Sequence, residues 1–405
     1  MSSTPILRFT DKNGRPFPEW ESMFIGDYLS KKSIKQVPTD DAPLMSFVAH
    51  RGVVEKGDKY DRSHLVKRKD KKYKRTDLND FIYSSNNLDV GSIGLNKHGS
   101  AVISEVYEIF SINDAANPDF ISEVIQMPET IDKIIRFRQG CLYGQYKIYP
   151  EDFLNVEINM PTKDEQDKVA AFLSFYDQKI KIQMAKVEAL KTRRKGLLQQ
   201  IFSQEIRFKA DDGSEFPDWE DIMLSDILTE RKMKSTGNEE VYSVSVAKGL
   251  VNQIEHLGRS FAAEDTSKYK VVKPGDVVYT KSPTGDFKWG IVKQSMIDKD
   301  VIVSPLYGVF IPKSYAFGFV LDAYFSSSVR AHNYLITQIR KGAKNTINIT
   351  NDVFLEKEIL LPTSEEEAQK IQSFVELLDR QIQVEKDKLE AMKMVKKGLL
   401  QQMFV

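Results

Sequence analysis

The residues best equipped for chemistry in this chain are cations, and they gather in segments that read as loops. "HLVKRKDKKYKR" (His64–Arg75) carries seven basic residues and one acid, with Tyr73 among them. "SSNN" (Ser84–Asn87) follows the β-like run "DFIY", and Lys281, Lys288 and Trp289 flank a Pro-Gly loop after "DVVYT". Arg136, Arg138 and Gln139, and later Arg340, Lys341, Lys344 and Asn345, stand ahead of a repeated "FL…PT". Lysine and arginine neutralise phosphates without regard to sequence, whereas Arg, Asn and Gln can read base edges through two hydrogen bonds. The chemistry on offer is therefore nucleic-acid binding. The candidate contacts are Arg51, Lys67, Arg68, Lys69, Lys71, Lys72, Lys74, Arg75, Asn86, Arg136, Arg138, Lys248, Lys281, Lys288, Arg340 and Lys344. A charge run is also what a solvated face looks like, and a net charge of zero decides neither way.

Catalytic patterns are missing. "GSIGLNKHG" and "SPTGDFKWG" lack the context of a GxxxxGKS phosphate loop. His50, His64, His98, His256 and His332 stand far apart, without metal-ligand spacing, and the single Cys141 excludes an intrachain disulfide or a Cys-rich zinc site. No Ser-His-Asp order and no nuclease-like acid constellation stands out. "NPDF" (Asn117–Phe120) has the look of the Asn-Pro-Pro-aromatic motif of adenine methyltransferases, but no Gly-rich cofactor loop precedes it, so it reads as a turn. The expectation is a binder, without a metal or cofactor of its own. At 41% apolar and 29% charged, 405 residues suit a globular protein of two or three domains. No apolar run approaches the roughly 18–20 residues that cross a bilayer, and the N-terminus lacks signal-peptide regions, so a cytosolic location is expected.

The elements that must position these cations occur twice. "RFTDKNGRPFPEW" (Arg8–Trp20) matches "RFKADDGSEFPDW" (Arg207–Trp219), "EINMPT" (Glu157–Thr162) matches "EILLPT" (Glu358–Thr363), and "KGLLQQIF" returns as "KGLLQQMF" 202 positions later. A thinner thread joins "HRGVV" to "AKGLV", "KYKRTDLNDFIY" to "KYKVVKPGDVVY", and "VISEVYEIF" to "IVSPLYGVF". Each half is thus an α+β unit with short strands, helical stretches at Ile121–Arg138 and Phe319–Arg340, and then a similar tail. The expected divisions are 1–160 and 205–361 for the globular units, with 161–204 and 362–405 for the tails.

Both tails begin after Pro-Thr with Thr or Ser followed three residues later by Glu, a capping-box signature, and neither contains a proline thereafter. Written as heptads, the first places Leu173, Tyr176, Ile180, Gln183, Val187, Leu190, Arg194, Leu197 and Ile201 on one seam. The second places Val375, Leu378, Ile382, Glu385, Leu389, Met392, Lys396, Leu399 and Met403 there. A parallel pair in register would set Arg194 against Lys396. An antiparallel pair with Arg194 opposite Glu385 and Gln183 opposite Lys396 removes that clash and leaves every other pair apolar, such as Ile180 with Leu399 and Leu190 with Leu389. The expectation is an antiparallel coiled coil of about 38 residues, roughly 57 Å long, relating the two units by an approximate two-fold axis. Gly196 and Gly398 fall off the seam, where glycine costs about 1 kcal/mol in a helix; either another surface, of the protein's own units or of another subunit, approaches them, or they are tolerated accidents.

Two dissimilar domains opened by "FPEW/FPDW" and joined by two similar helices closed by "KGLLQQ" resemble the specificity subunit of type I restriction-modification enzymes. The resemblance spans the whole chain. It implies that each globular unit reads one half of a split, asymmetric double-stranded DNA target. It also implies that the helices fix the spacing and dock two methyltransferase subunits, which ATP-dependent restriction subunits join. S-adenosylmethionine, ATP and magnesium would be bound by those partners. Half-sites on one face of B-DNA lie one turn, about 34–36 Å, apart, which a rod of that length accommodates. The rival reading is a DNA-modifying methyltransferase or nuclease whose site no motif reveals; methyl transfer by the chain alone would identify it. An adaptor without a DNA role would show no salt-dependent binding to duplex DNA.

Overall fold

Contacts in the computed structural model divide the chain between residues 1–184 together with 388–405, called unit 1 below, and residues 185–387, called unit 2. The structure describes residues 5–49, 51–55, 70–88, 90–142, 145–257, 265–338, 340–341 and 347–404.

In unit 1, strand Glu21–Phe24 pairs antiparallel with Glu157–Met160 and ties the two ends of the domain together. Between them runs a four-stranded antiparallel sheet in the order Leu29–Lys32, Glu108–Ile112, Phe81–Tyr83, Ile93–Leu95. Its central strand is apolar throughout because both faces are covered. Phe81 and Tyr83 enter the main core with Phe110, Phe120 and Phe153, while Ile82 faces a smaller cluster with Phe47, Val53 and Ile103. Strand side chains alternate between faces, so a three-residue strand serves two cores. Unit 2 repeats the plan. Glu220–Met223 pairs with Glu358–Leu361, and the sheet order is Leu228–Glu230, Gly308–Pro312, Val277–Tyr279, Val292–Gln294. Val277 and Tyr279 face the main core and Val278 the small one.

Two expected helices are each broken. Ile121–Arg138 resolves into Pro118–Gln126 and Pro128–Ile135, because Pro128 pushes Met127 out of the helical region (ψ 141°). "NPDF" is a helix start and not a free turn: Asn117 caps the first of these, accepting from the amides of Asp119 at 3.0 Å and Phe120 at 3.1 Å. Phe319–Arg340 likewise resolves into Tyr315–Phe325 and Ser328–Leu335, the second capped by Ser327, which accepts from the Arg330 amide.

The repeated opening motif is a clamp on the helix that follows each domain. Arg8 forks onto Glu165 at 3.0 and 2.8 Å and donates to the Pro18 carbonyl at 2.6 Å. Arg207 does the same with Glu367 at 3.0 and 3.2 Å and the Pro217 carbonyl at 2.7 Å. Phe9 meets Phe172 edge-on, Phe208 meets Phe374, and Trp20 and Trp219 are buried. The capping-box expectation is met in part: Ser364 Oγ accepts from the Glu367 amide at 3.4 Å, but the reciprocal bond to the glutamate is replaced. Glu165 and Glu367 sit in the first helical turn, but their fully buried carboxylates hold arginines instead of reaching back to cap their own helices.

The long helices run from Lys163 to Phe202 and from Glu365 to Met403. Every residue placed on either seam is buried or half-buried. In unit 2, Arg194 donates to Asp379 at 2.8 Å and Lys186 pairs with Glu385 at 3.1 Å, so the helix segments there are antiparallel. In unit 1, Lys396 pairs with Asp177 at 2.7 Å. The direction is the expected one but the register is not: Arg194 does not face Glu385, nor Gln183 Lys396, and the helices sit about one heptad from that alignment. Both seam cations are drawn to an aspartate just beside the seam, and Asp177 and Asp379 are themselves repeat equivalents.

The twice-used "KGLLQQ" closes each unit in one way. Ile201 and Phe202 pack with Trp219 in unit 2, and Met403 and Phe404 pack with Trp20 and Phe120 in unit 1. Leu7 donates its amide to Gln402 at 2.8 Å, as Ile206 does to Gln200 at 3.2 Å. Nothing in the described chain lies within 4 Å of where a Cβ on Gly196 or Gly398 would stand, so the protein's own domains do not explain those glycines.

Candidate nucleic-acid interface

In unit 1 the candidate residues stand on a hairpin, on loops and on one strand. Arg51 stands exposed at the tip of the hairpin Ser46–Val48/Gly52–Val54, where Gly52 (φ +72°) supplies the left-handed turn and lies against the Leu95 carbonyl. Asn86 is exposed in the loop that leads into the strand ending at Leu95. The hydroxyls of Tyr83 and Ser85 both donate to the Ile148 carbonyl, at 3.0 and 3.2 Å, which brings that loop beside the segment after strand Gln145–Lys147. Arg138 lies 5.1 Å from the Tyr146 ring, and Arg136 is exposed at the end of the helix Pro128–Ile135.

The described end of the basic run, residues 70–75, leads into strand Tyr73–Thr76 of a second sheet. Lys71 and Lys72 are exposed, Lys71 lying 5.2 Å from the Tyr73 ring. Lys74 is turned inward onto Glu108 at 3.1 Å and the Tyr107 carbonyl at 2.7 Å; its repeat equivalent, Lys270, makes the same bond to the Tyr307 carbonyl at 2.7 Å. Arg75 is held by Asp77 at 3.0 Å and Gln36 at 3.1 Å. Burial would raise the Asp77 carboxyl, but hydrogen bonds from Arg75, Lys32 and Ser100 overcome it and keep it well below the usual carboxylate range. Lys74 and Arg75 thus belong to the frame. Lys67, Arg68 and Lys69 lie outside the described residues, as does Lys344.

In unit 2, Lys248 is exposed at the tip of the hairpin Tyr242–Ser245/Gly249–Asn252, the counterpart of Arg51. It lines a cleft of about 850 Å³ that Lys195 and Lys386 of the long helices also line. Lys281 and Lys288 sit in the loop between strands Val277–Tyr279 and Val292–Gln294; Lys288 is exposed and Lys281 half-buried. Arg340 lies on the strand Arg340–Lys341. Among the described residues, no group of three or more His, Cys, Asp or Glu could hold a metal ion, and no helix is long and apolar enough to cross a membrane.

Residues 19–192 match the family model described as the type I restriction modification DNA specificity domain. The chain is also 25% identical over 426 residues to the type I restriction enzyme MjaVIII specificity subunit of Methanocaldococcus jannaschii, covering 97% of this chain and 94% of that one. In these matches the chain is similar to the type I restriction-modification specificity subunits. Two solved structures share the chain's fold. One is the type I restriction-modification S subunit from M. genitalium (TM-score 0.55, 14% identity, 99% of both chains). The other is a chain from work on complex assembly and conformational transition of the type I R-M system (TM-score 0.52, 14% identity, 95% of this chain and 97% of that one).

Sequence reasoning missed part of the chain's candidate loop chemistry. Tyr146 and Tyr149 are 41% and 39% exposed, and Lys147 lies 4.3 Å from the Tyr149 ring. Cations over exposed aromatic faces are suited to stack on or beside bases. The available signal was "YKIYP", two tyrosines bracketing a lysine ahead of a proline. The off-seam acids Asp177 and Asp379 were also missed, although their recurrence 202 positions apart was visible.

Proposed function

We propose that each globular unit of this DNA-recognition subunit reads one half of a bipartite, asymmetric duplex target, while the long helices set the gap and dock two methyltransferase subunits. One observation carries this reading: two frames of identical strand order enclose loops of different composition. A pair of readers for two different half-sites needs a shared scaffold and divergent tips. The contacts we assign in unit 1 are Arg51, Lys71, Lys72, Asn86, Arg136 and Arg138, joined by Tyr146, Lys147 and Tyr149. In unit 2 they are Lys248, Lys281, Lys288 and Arg340, with Lys67, Arg68, Lys69 and Lys344 retained from the sequence. The cleft beside Lys248 suits phosphates.

Docking has its own support. Phe175 and Ile182 on the first long helix are 50% and 69% exposed, and their repeat equivalents Leu377 and Val384 on the second are 62% and 46% exposed. All four stand at the heptad position of Gly196 and Gly398, off the seam. An apolar stripe repeated in both helices fits two copies of one partner. Restriction subunits join that core, and S-adenosylmethionine, ATP and magnesium belong to the partners. The subunit itself supplies recognition and no catalysis.

The test is to map methylated adenines in DNA from cells carrying this subunit with its methyltransferase. The expected result is a bipartite motif with a fixed gap. Exchange of residues 207–357 for another family member's second domain should alter one half only. A motif unmoved by the exchange would refute the assignment.

A further inference from the structure

Two frames built alike around different loops single out the positions where the loops part. Tyr83 and Tyr279 close equivalent strands, and each hydroxyl donates to a backbone carbonyl, Ile148 at 3.0 Å and Trp289 at 2.7 Å. Two residues on, unit 1 has Ser85, turned back onto the Ile148 carbonyl, and unit 2 has Lys281.

Lys281 has φ +58°, a left-handed backbone that a Cβ-bearing side chain adopts only under constraint. The loop supplies the constraint. Thr280 Oγ1 accepts from the Ile291 amide at 3.0 Å, Thr284 and Phe287 exchange backbone bonds at 3.0 Å, and the Trp289 indole donates to His332 Nδ1 at 2.9 Å. Gly290 (φ +106°) makes the room: a Cβ there would stand 2.8 Å from the Lys281 nitrogen and 2.7 Å from the Tyr279 ring. The Lys281 ammonium is half-buried, and among the described residues no carboxylate lies within salt-bridge distance of it. Burial, with Lys270 nearby, pushes it down to about 8. A phosphate contact requires only a hydrated charge at the end of a free stem. A fixed backbone and a partly dehydrated donor are what reading a base edge requires.

We propose that Lys281 is a specificity-determining residue of unit 2, its ammonium donating to a base-edge acceptor, guanine O6 or N7, in the major groove. This rests on reading the unit as a recogniser of one half-site. The test replaces Lys281→Met, which keeps the stem and removes the donor, and Lys281→Arg, which keeps a donor. Each variant is assembled with the methyltransferase subunits. Methylated adenines are mapped in cells, and binding to duplexes carrying the motif and its single-base-pair variants is measured across salt concentrations.

Lys281→Met should make one base pair of one half-site degenerate, with discrimination there falling about tenfold. The other half-site and the slope of log affinity against log salt should stay as they were. Lys281→Arg should keep the guanine preference. Lys281→Met should also raise the melting temperature of unit 2, because a half-buried charge is removed, whereas a lysine kept for structure would lower it. An unaltered motif, a lower melting temperature, or uniform weakening with the salt slope reduced by about one would each overturn the proposal. Failure of the half-site reading would appear separately, as a motif indifferent to exchange of residues 207–357.

Discussion

Glu165 and Glu367 are fully buried, and each takes both of its hydrogen bonds from one arginine. Removing one partner of such a pair leaves a charge uncompensated, which typically costs 3–5 kcal/mol; the arginines here retain 15% and 22% exposure, so water would partly replace them. Arg8→Ala or Arg207→Ala should therefore destabilise the affected unit by about 2–3 kcal/mol. Hydrogen exchange should localise the loss around Trp20 for the first and Trp219 for the second. Asp77 contributes to acid sensitivity. The folded Asp77 carboxyl titrates below its unfolded value, so its stabilising contribution is complete above about pH 4 and is lost as pH falls further. Asp77→Asn should lower stability at pH 7 and flatten the loss between pH 4 and pH 2, as read from melting temperatures across that range.

At the scale of elements, periodicity told most about the long helices and least about what they touch. An apolar seam leaves the same mark wherever the partner lies, so both seams were legible from Leu173 to Ile201 and from Val375 to Met403. Register was not legible, because one-heptad slips of an apolar seam are nearly equivalent and the deciding residues, Asp177 and Asp379, lie beside it. The arginine clamps span 157 and 160 residues, and no local pattern announces a bond of that range. Loop aim was hidden for another reason: it depends on left-handed backbone at a lysine, which sequence does not mark. The observed register predicts a charge exchange. Arg194→Asp or Asp379→Arg alone should weaken the helix pair, and together they should restore it, with a coupling energy of about 0.5–1 kcal/mol. In the alignment expected from the seam, Asp379 would be a bystander and the coupling absent. Gly196→Ala should stabilise the isolated subunit by up to about 1 kcal/mol, since a Cβ meets nothing there. If the methyltransferase packs on this stripe, the same change should weaken assembly measured by calorimetry.

For the whole molecule, the two units contain the same parts but the chain supplies them differently. Unit 2 is one uninterrupted segment, residues 185–387, so the helix end that packs on Trp219 is joined to its domain by peptide bonds. Unit 1 draws residues 388–405 from the far end of the chain to serve the same purpose for Trp20. Met403 and Phe404, 1% and 6% exposed, therefore hold a core together without a covalent tether nearby. Truncation after Gly398 removes Leu399, Leu400, Met403 and Phe404 from the unit 1 cluster, and also the carbonyl that the Leu7 amide uses. Losing two large side chains from a packed core costs several kcal/mol, a large part of a domain's whole stability. The truncated chain should expose Trp20 to quenchers and lose exchange protection across Phe81–Tyr83 and Pro118–Gln126. Val277–Tyr279 and Trp219 should keep theirs, because nothing in unit 2 is removed. Equal loss in both units would mean that the end of the chain stabilises the molecule by some route other than the closure of unit 1.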